Sequence, residues 1–309
     1  MLGSVARLAY DAGFAPMAFV AWRAAIGFLA ISAIVVVRAR RGSPLADPRG
    51  LPRRDLAGLG LIAIAGLGVN IATFVGFSVT TVALVLLGFY TYPAMVAIVA
   101  VRLGHEHLDG PRLAALGLAL VGMVLVVVGG LDPTPGGVAI APAGVLLGLA
   151  AAVCQTLFVT VSRGRFATVS SELAMGWVLL VTAAVTLGLA IGFGAPLDVP
   201  LRSGRALGLA VLAGVAGAGL PSILFLVGIR AIGGTRGGIL MLIEPVVGVA
   251  LAAFLLGEGL GPLQALGGGA IITAAMLLQR GSGNAPDAGG PDHARQPADA
   301  AAVRVAEHP

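Results

Sequence analysis

The chain has 309 residues, 58% of them hydrophobic and 11% charged, with a mean hydropathy of +1.01. Soluble domains carry about 25% charged residues, so this composition excludes an ordinary soluble fold and describes a polytopic membrane protein partnered by the lipid bilayer. All nineteen basic residues are arginine and the net charge is +5. They fall between apolar runs rather than on one face, so the basic pI gives no argument for a nucleic-acid partner.

About 20 apolar residues are needed for a helix to cross the hydrocarbon core. Residues 1–15 are too short for that and read as the last turns of a helix followed by an exit. The first full span is expected at 16–38, with Trp22 and Arg23 inside it, and an Arg-, Pro- and Gly-rich linker follows over 38–55. Further spans are expected at 57–79, 81–103, 112–130, 141–162, 171–193, 206–229, 235–257 and 262–279. The tail from 281 to 309 is rich in Pro, Gly, Ala and Asp and reads as disordered. Glycine is abundant, at 47 residues, and Gly144/Gly148 and Gly188/Gly192 have the small-xxx-small spacing of close helix packing.

Arginine placement orients the spans. Fifteen arginines fall on the side of the 38–55 linker and only Arg202 and Arg205 on the other, so the linker and the C-terminus are expected to be cytoplasmic. Working back, residues 1–15 reach the outer face. The chain then reads as nine spans plus a fragment, and a start upstream of Met1 would complete a tenth helix.

Two spans are interrupted by proline. Tyr92-Pro93 is followed by Glu106, Glu244-Pro245 by Glu258, and the Pro-to-Glu interval is 13 residues in both, with the copies 152 residues apart. Gly68/Gly219 and Phe74/Phe225 fall 151 residues apart. Five spans per copy, counting the fragment, invert the second copy relative to the first. The fold class is therefore all-α, with two inverted five-helix repeats over residues 1–130 and 131–280. Proline-broken segments at corresponding places in two halves point to a transporter binding site and to alternating access.

A carboxylate in mid-membrane costs about 2.5–3.5 kcal/mol and so faces a polar cavity or a partner. Glu244 is the leading candidate, as a ligand for a substrate ammonium group or as a proton carrier, against a carboxyl bonded to carbonyls freed by Pro245 or Pro93. Arg23 lies some seven residues into its span and could grip a substrate carboxylate, against snorkelling or pairing with Asp11. Asn70, Tyr92 and Gln155 sit at similar depth and could line one shared pocket, with Thr73, Tyr90 and Ser222 behind them. Pro93, Pro245 and Pro221 mark the helix breaks. Trp22 and Trp177 read as packing or interfacial aromatics, and Glu106 and Glu258 as end-capping acids. His105 and His107 read as solvated loop residues. One cysteine and scattered histidines build no metal site, and no GxxxxGK[ST] loop is present, so no metal or cofactor is expected.

Pro16-Met-Ala-Phe-Val-Ala-Trp-Arg23, Tyr92-Pro93 with Gly104-His-Glu106, and Glu244-Pro245-Val-Val with Leu256-Gly-Glu258 resemble the EamA type of the drug/metabolite transporter superfamily. The likeness covers residues 3–280. It implies ten helices in two inverted halves around a central cavity, and export of amino acids, other metabolites or toxic compounds. The expected protein is a secondary transporter of the inner membrane, not an enzyme. Its partner is a small-molecule substrate, with protons as one coupling ion and a homodimer as one assembly open to it. Multidrug efflux is the alternative; a membrane-embedded enzyme or a non-transporting scaffold fits less well.

Overall fold

The computed structural model describes residues 2–41, 51–104, 109–129, 142–164, 169–247 and 261–280. Every regular element among them is helical. The chain order is α1 (Leu2–Asp11), α2 (Pro16–Arg40), α3 (Arg53–Val79), α4 (Val82–Phe89), α5 (Tyr92–Arg102), α6 (Gly110–Gly129), α7 (Pro142–Gly164), α8 (Ser171–Gly192), α9 (Val199–Arg202) and α10 (Gly204–Gly214). A π-helical turn at Val215–Gly219 leads into α11 (Leu220–Ile232) and then α12 (Gly234–Met241). Residues 243–247 resume a helix, α13, and α14 (Pro262–Arg280) ends the described chain.

Seven of these helical stretches are long and apolar enough to cross a membrane, and Pro262–Leu277 is a shorter apolar helix. Of the nine expected spans, the one at 235–257 is described only to residue 247, so its second half lies outside the described residues. So do Glu106, Glu258, His105, His107 and the tail from 281. The short helix α9 has no counterpart among the expected spans. Within the expected fragment, Leu2–Asp11 is helical and the chain leaves the helix at Gly13 (φ 98°), where Gly13 N–H bonds to Tyr10 O and Phe14 N–H to Ala9 O. Glycine supplies the left-handed backbone that this helix ending requires.

Small residues set both the spacing and the direction of the helices. Gly27 lies against Leu179 and Gly176 against Ile31, so α2 and α8 run antiparallel. Gly66 meets Phe158 and Gly68 meets Cys154, so α3 and α7 also run antiparallel. Gly122 touches the Gly267 carbonyl while Gly129 touches Gln264, which sets α6 and α14 antiparallel. By contrast α4 and α7 run parallel: Gly144 meets Thr80 and Gly148 meets Val85 and Gly88. The helix pair α2 and α10–α11 is parallel too, with Ile26 against Gly214 and Ala30 against Gly219.

These directions collect the helix ends into two groups. One end holds Arg38, Arg53, Arg102, Arg112, Arg163, Arg230, Arg236 and Arg280; the other holds Arg202 and Arg205. At the arginine-rich end Arg38 pairs with Glu172, and Arg230 donates to the Val169 carbonyl at 2.8 Å and to Ser171 Oγ at 3.2 Å. These contacts pin α2 and α11 to the start of α8. At the opposite end Trp22 Nε1 donates to the Leu197 carbonyl at 2.9 Å, and Arg7 donates to the Thr80 carbonyl.

Candidate functional site

The span from Val82 to Arg102 is broken at Tyr90–Thr91. Pro93 has no N–H to give the Phe89 carbonyl, so the ladder cannot continue through it. Tyr90 N–H closes α4 on Leu86 O at 2.8 Å, Thr91 Oγ1 caps Gly88 O at 2.7 Å, and α5 starts afresh at Tyr92. The second broken helix behaves alike. Helix α12 stops at Met241, the residue whose carbonyl Pro245 leaves without its usual donor, and Leu242 forms a turn before helix resumes.

The two broken helices cross antiparallel. Pro93 packs against Gly238, Val96 against Gly234, and the Tyr90 hydroxyl donates to Glu244 Oε2 at 3.2 Å. Tyr90 and Tyr92 are buried, at 4% and 1% exposure, whereas Glu244 is exposed. Phe89 packs against both tyrosines, with ring centroids 5.4 and 5.2 Å apart. An exposed carboxylate thus sits at the edge of an aromatic trio, accepting one hydrogen bond through Oε2. Such a group can bind a cationic amine or exchange a proton.

Arg23 organises a second polar cluster. It is buried, at 7% exposure, and its Nη1 donates to Asn70 Oδ1 at 2.7 Å while its Nη2 donates to the Gly217 carbonyl at 2.9 Å. Asn70 is oriented by donating its own Nδ2 to Gly66 O at 2.8 Å. The guanidinium lies over the Phe74 ring, 5.0 Å from its centroid. Gly217 is the residue whose carbonyl Pro221 cannot serve from one turn on. The π turn and this proline therefore create an acceptor inside the membrane, and Arg23 fills it. Arg23 pairs with neither Asp11 nor any other carboxylate among the described residues.

Hydrogen bonds group the candidate residues in two sets: Glu244 joins Tyr90 beside Tyr92, and Arg23 joins Asn70. Gln155 is half-buried on α7 and hydrogen-bonds to neither cluster among the described residues. Thr73 is one turn on from Asn70, but its buried Oγ1 has no hydrogen-bond partner among the described residues. Trp22 anchors α2 to the Leu197 carbonyl, and Trp177 is exposed on α8. Gly217 went unnoticed in the sequence, although counting four residues back from Pro221 identifies its carbonyl.

The description EamA-like transporter family matches residues 2–128 and 142–280, which is most of the chain. The chain belongs to the EamA-like transporter family. This places it in the drug/metabolite transporter superfamily and agrees with the multi-pass helical membrane fold. A solved crystal structure superposes on this EamA-family chain with a TM-score of 0.73 at 23% sequence identity, covering 90% of this chain and 94% of that one. At that identity the likeness speaks for the fold alone. No curated protein matches the sequence.

Proposed function

We propose that this EamA-family protein is a secondary transporter of the inner membrane, carrying a small polar or amphipathic metabolite such as an amino acid outward by alternating access. The observation that carries the reading is the Tyr90–Glu244 hydrogen bond. It joins the two proline-broken helices, one from each family-matched stretch, through a carboxylate that stays accessible. In this reading Glu244 holds a substrate ammonium group or a proton, and Arg23 with Asn70 braces the neighbouring helices.

Packing supports an inverted repeat. Exchange α1 with α7, α2 with α8, α3 with α10–α11, α4–α5 with α12–α13, and α6 with α14. The contacts α2 to α8, α5 to α12 and α6 to α14 then map onto themselves, while α3 to α7 exchanges with α1 to α10 and α3 to α8 with α2 to α10. Each exchanged span runs in the reverse direction. With α1 counted as part of a helix this gives the ten-helix plan, and the arginine-rich end, including Arg280, belongs on the cytoplasmic side. A ligand pathway at the meeting of such repeats is reached from either face as the halves trade conformations.

A second reading, efflux of lipophilic cations, is favoured by Phe89, Tyr90 and Tyr92 around the carboxylate, because aromatic faces attract cations. Purified protein in liposomes, offered a panel of tritiated amino acids under an imposed pH gradient, tests the first reading. Uptake that follows the gradient in wild type and loses its pH dependence in Glu244→Gln is expected. Equal rates and pH profiles in the two would remove Glu244 from the mechanism. Transport of a labelled lipophilic cation without any amino acid would select the second reading.

A further inference from the structure

At the arginine-rich end, away from both clusters, a cavity of about 190 Å³ opens between the first turn of α6, the last turn of α7 and the α11–α12 junction. Arg112, Arg163, Ile232, Thr235 and Arg236 line it. Gly233 (φ 89°) turns the chain into α12, whose opening N–H groups lack helical acceptors and carry the positive end of the helix dipole. Thr235 is only 1% exposed, yet its Oγ1 has no hydrogen-bond partner among the described residues. A buried hydroxyl without a partner is costly and marks a place where a ligand atom would satisfy it. Arg236 makes no hydrogen bond or ion pair among the described residues. The Asp109 carboxylate lies 3.6 Å from Arg112 Nε, and Arg163 is partnered as well, so Arg236 is the arginine of the three whose charge is left over among the described residues.

We propose that this cavity is an anion site that takes one phosphate group, the chemistry shared by a lipid headgroup and inorganic phosphate. Its volume is below the roughly 300–1,000 Å³ of sites for drug-sized ligands and suits a single compact anion. Arginine forks match phosphate oxygens in pairs, the Thr235 hydroxyl supplies a further donor, and basic pockets between membrane helices on the cytoplasmic side are suited to anionic headgroups. A bound phosphate would tie α6, in the first family-matched stretch, to α7 and α12 in the second. The proposal concerns the end of the helix bundle and does not depend on Glu244 being the transport site.

The test follows the melting temperature of the full chain in an uncharged detergent. One arm adds inorganic phosphate against chloride at equal ionic strength. The other adds dioctanoyl phosphatidylglycerol against dioctanoylglycerol, which lacks the phosphate. A rise of about 2–4 °C near saturation in at least one arm is expected; response to phosphate alone assigns a free anion, and response to the phospholipid alone assigns a headgroup. Thr235→Val should melt at or above wild type without ligand, because it removes the unpartnered hydroxyl, and should lose at least half of the rise. Arg236→Gln should lose the rise, and Arg202→Gln, at the opposite end, should keep it. No rise beyond the controls in either arm, or an undiminished rise in both Thr235→Val and Arg236→Gln, would overturn the proposal.

Discussion

Replacing Gly88 by alanine drives two backbones apart just below the candidate site. Gly88 sits where α4 crosses α7, and a Cβ built on it would lie 2.6 Å from the Val145 carbonyl oxygen, 2.9 Å from Leu149 N and 3.1 Å from Gly148 C. All three are main-chain atoms, so no rotamer change relieves them. The nearest falls about 0.9 Å short of the ~3.5 Å at which contacts with carbon become favourable. Overpacking of this kind costs about 1–3 kcal/mol, and the helix-propensity gain of Gly→Ala returns about 0.5–1 kcal/mol. Taking the middle of each range, a net loss of about 1.2 kcal/mol follows, or roughly 2–5 °C in the melting temperature of the purified protein in detergent. Gly188, whose Cβ would meet nothing within 4 Å, is the control: Gly188→Ala should melt at or above wild type. The Gly88 carbonyl also accepts from Thr91 Oγ1 beside Tyr90, so Gly88→Ala should disturb transport as well as melting. Gly88→Ala melting with wild type would refute the claim that this crossing is held by main-chain contact.

Arg23→Met strands the Asn70 and Gly217 oxygens, whereas Pro221→Ala gives Gly217 back an N–H donor one turn on. In a double-mutant cycle on melting, Arg23→Met should therefore cost about 0.5–1.5 kcal/mol less in the Pro221→Ala background; strict additivity would show that the proline does not create the acceptor. Tyr90→Phe keeps the ring and removes the hydroxyl that donates to Glu244. It should fold within about 1 kcal/mol of wild type while altering the pH profile of liposome uptake, and an unchanged profile would detach this contact from coupling. Arg38→Ala removes an ion pair whose arginine is 56% exposed, so it should shift stability by under about 1 kcal/mol, less still at high salt, as read from melting curves at two ionic strengths.

Spans were legible because length and apolarity alone decide them. The expected 16–38 and 171–193 fall within two residues of Pro16–Arg40 and Ser171–Gly192. The break before Pro93 was legible too, since a missing N–H is a property of the residue. Depth along a helix could be counted, which is why Arg23 and Asn70 were both noticed. Rotation about the helix axis could not: a helix that is apolar all round carries no polar face to fix its phase. Gln155 therefore looked equivalent to Asn70 from sequence, yet only Asn70 meets Arg23. Small-xxx-small spacing failed in the same way. Gly144 presses against Thr80, between α3 and α4, and Gly148 against α4, while Gly188 and Gly192 face open space. The π turn depends on how Gly214 and Gly219 seat against Ile26 and Ala30 of α2, which no local pattern around Pro221 announces.

The proposed transport role requires Glu244 to stand in an aqueous pathway between the two broken helices. Thiol labelling of Cys154→Ser/Glu244→Cys in sealed vesicles tests it most directly. Residue 244 should react with a charged, membrane-impermeant thiol reagent, with the accessible face changing when a transported amine is added. Reaction only with an uncharged, membrane-soluble reagent would place residue 244 against the acyl chains and rule out an aqueous pathway there.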